Sequence, residues 1–230
     1  MALATWWISD PLPGLRPLAG FTAALAEDDA ALARLNRIPL EEVRARRAAG
    51  HRPYVGALDG VPVTYGWVAT REASIGELGL SFRLPEGERY LWDFATLPEW
   101  QGRGLYPRLL QAILAAEVCE ARRFWIIHAP ENLPSGAGMG KAGLEPVGAL
   151  SFDAMGGVAL RPTSARERAA AGARLLGVPL IEEALAPCWH CGRPAAEDGA
   201  GAACWPPAPQ QASSCTCAVQ PRPPIALAGV

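Results

Sequence analysis

Leu91-Trp92-Asp93-Phe94-Ala95-Thr96-Leu97-Pro98-Glu99-Trp100-Gln101-Gly102-Arg103-Gly104-Leu105-Tyr106-Pro107-Arg108-Leu109-Leu110 reads as a strand, a turn and the start of a helix. Tyr90 to Leu97 is aromatic, apolar and β-branched, the composition of a strand. Gly102 and Gly104 then admit backbone conformations closed to other residues, which marks a tight turn. Beyond it Leu109, Leu110, Ile113, Leu114 and Val118 recur at helical spacing and Pro107 suits a first turn, so the spacing predicts a helix over Pro107 to Arg122. A Gly-containing loop entering a helix points several backbone N–H groups at one spot, and phosphate oxygens suit that spot. Arg103 can add a positive charge there. Many strand-to-helix turns carry glycine for packing alone, so the loop does not decide by itself.

Working outward, Phe21 to Ala49 offers helix formers with Leu25, Leu32, Leu35 and Leu40, and Pro39 splits it into two short helices closed by Gly50. His51 to Leu58 and Val61 to Thr70 read as an antiparallel hairpin about Asp59-Gly60, whose tolerance of positive φ suits a two-residue turn. Ala73 to Leu84, ending at Pro85-Glu86-Gly87, continues the meander as a third strand. Downstream, Phe124 to His128 is a short strand and Leu133 to Ala142 a short helix with Gly143 at its C-cap. Leu144 to Leu160 gives one or two closing strands and Ser164 to Leu176 one more helix. The expected fold is α+β, a three-layer α/β/α arrangement about a mixed, mostly antiparallel sheet.

The quoted stretch resembles the central motif of the GNAT N-acyltransferase superfamily: Arg or Gln, two residues, Gly, one residue, then Gly or Ala. Gln101 and Gly104 match, and Tyr106 stands at the final small position. Asn132-Leu133-Pro134-Ser135 and Lys141-Ala142-Gly143-Leu144 resemble the family's Asn-x-x-Ser helix and its Lys-x-Gly-Phe ending. By element order the resemblance covers about Tyr54 to Leu150. It implies an enzyme that moves an acyl group, most simply acetyl, from acetyl-CoA as co-substrate to a primary amine. The coenzyme would lie along Ala95, Thr96, Leu97, Gln101, Gly102, Arg103, Gly104, Leu105 and Tyr106, with Asn132 and Ser135 nearby.

Direct attack of a neutral amine on the thioester needs a donor for the developing oxyanion, an acceptor for the ammonium proton and a proton for the leaving thiolate. The resemblance implies a backbone N–H between Ala95 and Leu97 for the first. Asp93 stands where many members place an acidic residue, with Glu77 and Glu72 as alternatives, and a carboxylate there can equally bind the amine or cap a bulge. For the third, many members use a Tyr four residues before the helix-ending Gly, and that place is Met139. A thiol of pKa about 8.5 leaves tolerably as thiolate, and Tyr106, Ser135 or water can assist.

Two decoys fall away. Ser135-Gly136-Ala137-Gly138-Met139-Gly140-Lys141-Ala142 lacks both the first Gly and the hydroxyl of a P-loop, and Gly136 and Gly138 are followed by Lys141 where a dinucleotide fingerprint needs its third Gly. His51 and His128 are isolated and read as packed or surface residues rather than catalysts. Trp6, Trp7, Trp67, Trp92 and Trp125 read as core, with Trp92 also placed to line an acceptor pocket.

The 230 residues carry a formal charge of -2, with no basic stripe for nucleic acid or an anionic membrane. No signal peptide or spanning segment is read, so the expected location is cytoplasmic. Residues 1–160 are read as the acyltransferase domain, 161–187 as a helical linker and 188–230 as a Cys/Pro-rich tail. That tail is either disordered or held by metal, with Cys188, Cys191, Cys215 and Cys217 the preferred zinc ligands and Cys204 in reserve. Cys119, on the long helix, is expected to be buried. The competing reading is a non-catalytic acyl-CoA-sensing or protein-interaction module; the acceptor and the oligomeric state are open.

Overall fold

Residues 1–186, 188–190 and 192 are described by the computed structural model. Along the chain run β1 (Ala2–Trp7), β2 (Phe21–Leu25), α1 (Asp29–Asn36), α2 (Leu40–Ala48), β3 (His51–Leu58), β4 (Val61–Ala69), β5 (Glu72–Ile75), β6 (Leu80–Arg83) and β7 (Glu88–Thr96). They are followed by α3 (Leu105–Glu117), β8 (Arg123–His128), α4 (Leu133–Ala142), β9 (Glu145–Phe152), β10 (Val158–Pro162) and α5 (Arg166–Leu176). Eight strands form one sheet in the order β10-β9-β1-β8-β7-β4-β3-β2. Within it only β7 and β8 are parallel neighbours, so the sheet is mixed and mostly antiparallel, as expected of the α+β class.

Strand alternation divides the core. Trp67 and Val68, both wholly buried neighbours on β4, face opposite sides of the sheet. One side is covered by α3 and α4 through Leu109, Leu110, Ile113 and Leu114; the other is covered by α1, α2 and α5. Local chemistry sets the boundaries. Asp28 caps α1 by accepting from Ala30 and Ala31 N–H, and Pro39 stands at the start of α2, which is why two helices replace one. Asp59 and Gly60, at φ 50° and 80°, turn the β3–β4 hairpin as predicted. Gly143, at φ 98°, closes α4 by donating to Gly140 and Met139 carbonyls.

Four expectations are corrected. Phe21 to Leu25 is not the start of a helix but the edge strand β2, because pairing with β3 overrides a weak local preference. Ala73 to Leu84 is not one strand of the main sheet: it folds at a 3₁₀ turn, Gly76–Leu78, into a separate β5–β6 hairpin that packs on the α5 side. The long helix ends at Glu117, and Cys119 beyond it is exposed rather than buried. Met1 to Trp7, left without an element, is β1 in mid-sheet between β8 and β9. The segment read as a linker carries α5, whose Ala169, Leu175 and Leu176 are buried in the core. Among the described residues no helix is long and apolar enough to cross a membrane.

Candidate active site

β7 and β8 run side by side only from Glu88↔Arg123 to Leu91↔Ile126. Beyond that pair β7 follows β4, through Tyr65↔Ala95 and Thr64↔Thr96, while β8 follows β1, through Leu3↔Ile127 and Ala2↔His128. The parallel strands therefore part, and backbone that a continuous sheet would pair faces an opening. Leu97 N–H donates to Val63 O at 2.9 Å; alternation along the strand then turns the Thr96 peptide groups to the opening. Thr96 O accepts from Gln101 Nε2 at 3.1 Å, which ties the following turn to the strand end.

That turn leads into α3 behind Gly104, which sits at φ 69° with no side-chain cap; Gly102 sits at φ 75°. A Cβ on Gly102 would meet nothing, so the left-handed backbone, not space, calls for glycine there. The N–H groups of Gly102, Arg103 and Gly104 have no hydrogen-bond partner among the described residues. These donors stand where the helix dipole already favours an anion. The Arg103 guanidinium lies 4.7 Å from the centre of the Trp100 ring, which keeps its charge beside the loop.

Across the opening α4 begins at Asn132, whose Oδ1 accepts from Ser135 N–H at 3.1 Å. Tyr106 spans the gap between α3 and α4. Its ring packs 5.5 Å from Phe94 and so tightly on Gly138 that a Cβ there would lie 2.5 Å from a ring carbon. Its hydroxyl is 3.4 Å from Ser135 Oγ, and burial pushes its pKa up to about 12. His128, at the end of β8, packs against Gly136 of the same helix turn, and burial lowers its pKa, leaving a neutral imidazole at pH 7.

β7 reaches the opening through a bulge. Its register with β4 passes from Trp67↔Trp92 to Tyr65↔Ala95, so Asp93 and Phe94 together oppose Gly66. Asp93 is left-handed, at φ 51°. The Phe94 ring occupies the space a side chain at Gly66 would need, 2.0 Å from its ideal Cβ. Asp93 Oδ2 accepts from Arg46 Nη1 at 2.5 Å and Asn36 Nδ2 at 3.2 Å, while Oδ1 has no partner among the described residues.

A family model for the acetyltransferase (GNAT) family matches residues 20–141, more than half of the chain. The chain belongs to the GNAT acetyltransferase family. Among solved structures it is similar to a GCN5-related N-acetyltransferase from Kribbella flavida, at 20% identity over 63% of this chain and 53% of that one, TM-score 0.40. It is similar also to a GNAT-family protein from Novosphingobium aromaticivorans, at 16% identity over 63% and 59% of the two chains, TM-score 0.44. A third is an aminoglycoside acetyltransferase from an uncultured soil metagenomic sample, solved with sisomicin, at 12% identity over 53% and 87%, TM-score 0.42. The chain spans little more than half the length of the first two. No curated protein matches it.

On this GNAT scaffold the residues expected to hold coenzyme, from Ala95 to Leu97 and Gln101 to Tyr106, lie along the end of β7 and the start of α3 with Asn132 and Ser135 at the facing start of α4, except that the Leu105 side chain is buried in the core with Leu58 and Val63. Glu77 is elsewhere: it is exposed on the turn between β5 and β6, and no hydrogen bond or ion pair joins it or Glu72 to Asp93 among the described residues. Met139 is buried in the core, as apolar as its surroundings require. Sequence reading missed Arg46 and Asn36, and set His128 aside. Nothing local distinguishes Arg46 from Arg44 and Arg47 on the same helix; only its reach to Asp93 and Trp92 of β7 in the folded chain selects it. Of the thiols expected to bind zinc, Cys188 alone is described; Cys191, Cys215 and Cys217 lie outside the described residues. Among those described, no cluster of metal-binding side chains is present.

Proposed function

We propose that the chain transfers an acyl group, in the simplest case acetyl, from acyl-CoA to a primary amine by direct attack on the thioester. The observation that carries this reading is the set of unpartnered N–H groups at Gly102, Arg103 and Gly104, at the foot of the opening between β7 and β8. Those donors suit a diphosphate, and the opening above them suits the pantetheine arm and its thioester. The amine nitrogen attacks the carbonyl carbon, the C–S bond breaks, and the charge on the oxygen is met by a backbone N–H of β7, worth about 3 kcal/mol if well aimed. Asp93 offers Oδ1 to the acceptor's ammonium and receives its proton. The Tyr106 hydroxyl, protonated throughout the physiological range, is the donor available to the departing thiolate in place of a side chain at Met139.

Gly104→Glu tests the site. It sets bulk and negative charge against the diphosphate, and calorimetry is expected to show acetyl-CoA affinity falling about hundredfold, near 3 kcal/mol, with the fold retained. Unchanged affinity removes the loop from the site. The second reading, a non-catalytic acyl-CoA-sensing or protein-binding module, is favoured by the apolar, buried Met139. Free-thiol release from acetyl-CoA across a panel of amines separates the two: turnover supports the enzyme, and tight binding without turnover supports the module. The zinc site at Cys188, Cys191, Cys215 and Cys217 is a separate proposal. Metal analysis of protein purified without chelator should find about one zinc per chain; a metal-free preparation removes it.

A further inference from the structure

The bulge that ends the pairing of β7 with β8 is held from the opposite layer. Arg46 of α2 donates to Asp93 Oδ2 at 2.5 Å and to Glu42 Oε1 at 2.9 Å. Its guanidinium lies 4.6 Å from the Trp92 ring and 5.1 Å from the Trp67 ring, with the side chain only 15% exposed. Asn36 of α1 adds a second grip, accepting from Trp67 Nε1 at 2.9 Å while donating to the same Asp93 oxygen at 3.2 Å. Trp92 is fixed in turn by donating to His51 Nδ1 at 3.0 Å. Side chains from α1 and α2 thus converge on one carboxylate, backed by Trp67 of β4 and His51 of β3, at a bulge residue held at φ 51°. Past Leu91 β7 has no register partner on β8, so the backbone groups beyond the bulge that alternation turns to that side, those of Thr96 among them, face the opening.

We infer that Arg46 is a positioning residue for acyl transfer: by gripping Asp93 it fixes the bulge that presents unpaired β7 backbone to the thioester carbonyl. This rests on the reading that the thioester occupies the opening. The geometry calls for a flat, delocalised cation that stacks on indoles while donating in its own plane, which an ammonium does not supply.

The test uses the full chain with acetyl-CoA labelled with carbon-13 at the thioester carbonyl, and with unlabelled coenzyme A as the comparison ligand. In the unsubstituted protein the bound carbonyl resonance should move downfield of free acetyl-CoA, as a hydrogen bond polarises it. Arg46→Met keeps the stem and removes the grip; it should return the resonance toward the free position and weaken acetyl-CoA by up to about tenfold. Coenzyme A affinity should be unchanged. Arg46→Lys, read the same way, covers the case in which Arg46→Met does not fold, and should give a partial return. A folded Arg46 variant that keeps the full downfield shift overturns the inference and leaves the coenzyme site standing. Failure of the unsubstituted chain to bind acetyl-CoA overturns the underlying reading and this inference with it.

Discussion

The two oxygens of Asp93 differ in their surroundings. Oδ2 is committed to Arg46 and Asn36, and Oδ1 has no partner among the described residues, which is why we propose it for the acceptor. On the proposed reading Oδ1 holds the acceptor's ammonium and takes its proton before the nitrogen attacks. Asp93→Asn keeps the size and removes the charge. With any amine that turns over, the rate near pH 7 should fall about a hundredfold. The sign of the pH effect follows: the deficit should narrow as pH rises toward the amine's own pKa, because the acceptor then arrives neutral. A pH-independent loss would assign Asp93 to the bulge alone, and a normal rate at every pH would leave it no part in transfer. The candidate position was legible in sequence from the motif around it. Its partners were not, since Asn36 and Arg46 lie 57 and 47 residues away.

At the scale of elements, α3 links the site to the far end of the sheet. Its first residues meet the opening, while Glu117 in its last turn is buried at 1% exposure and accepts from Tyr54 Oη at 2.7 Å, Arg52 Nη1 at 2.8 Å and Arg89 Nε at 2.9 Å. Arg89 is itself buried, and removing Glu117 leaves it only the exposed Glu120 carboxylate at 3.0 Å and the Glu88 carbonyl at 3.1 Å, and takes the acceptor from Tyr54 as well. Glu117→Ala should destabilise the protein by about 3 kcal/mol. That lowers Tm by about 10 °C in a thermal melt. Acetyl-CoA affinity of the folded protein should not change, because the loop lies at the other end of the helix; a melt within a degree or two of the parent would show that the network contributes nothing. The helical spacing of Leu109, Leu110, Ile113 and Leu114 made α3 readable from local chemistry, and the caps at Asn132 and Gly143 did the same for α4. The β5–β6 hairpin escaped, since Gly79 at φ 63° ends a turn inside what alternation alone reads as one strand.

For the whole molecule the decisive element is β1. It supplies one neighbour to β8 and another to β9, burying Leu3 on the α5 side and Ala4 and Trp6 on the α3–α4 side. The family match begins at residue 20, so a strand outside the matched span lies in mid-sheet beside the site. Deleting residues 1–9 would expose two long strand edges and open both layers of the core. The truncated chain should aggregate or lose its cooperative melt, as seen by circular dichroism and size-exclusion chromatography. A monomeric product with native stability would show that β8 and β9 can pair without it.

The sequence by itself determined the glycine turn between β7 and α3, the helix behind it, the β3–β4 hairpin and the acetyltransferase family, because each is written in residues within a few positions of one another. Glycines at 102 and 104, the leucine spacing of α3 and the Asp59-Gly60 turn act through local backbone geometry. Only the tertiary structure decided where β1 sits, which arginine grips Asp93, and that Tyr106 closes toward Ser135. Those outcomes depend on strand pairing and side-chain contacts between distant segments, whose energies appear only once the sheet has brought them together.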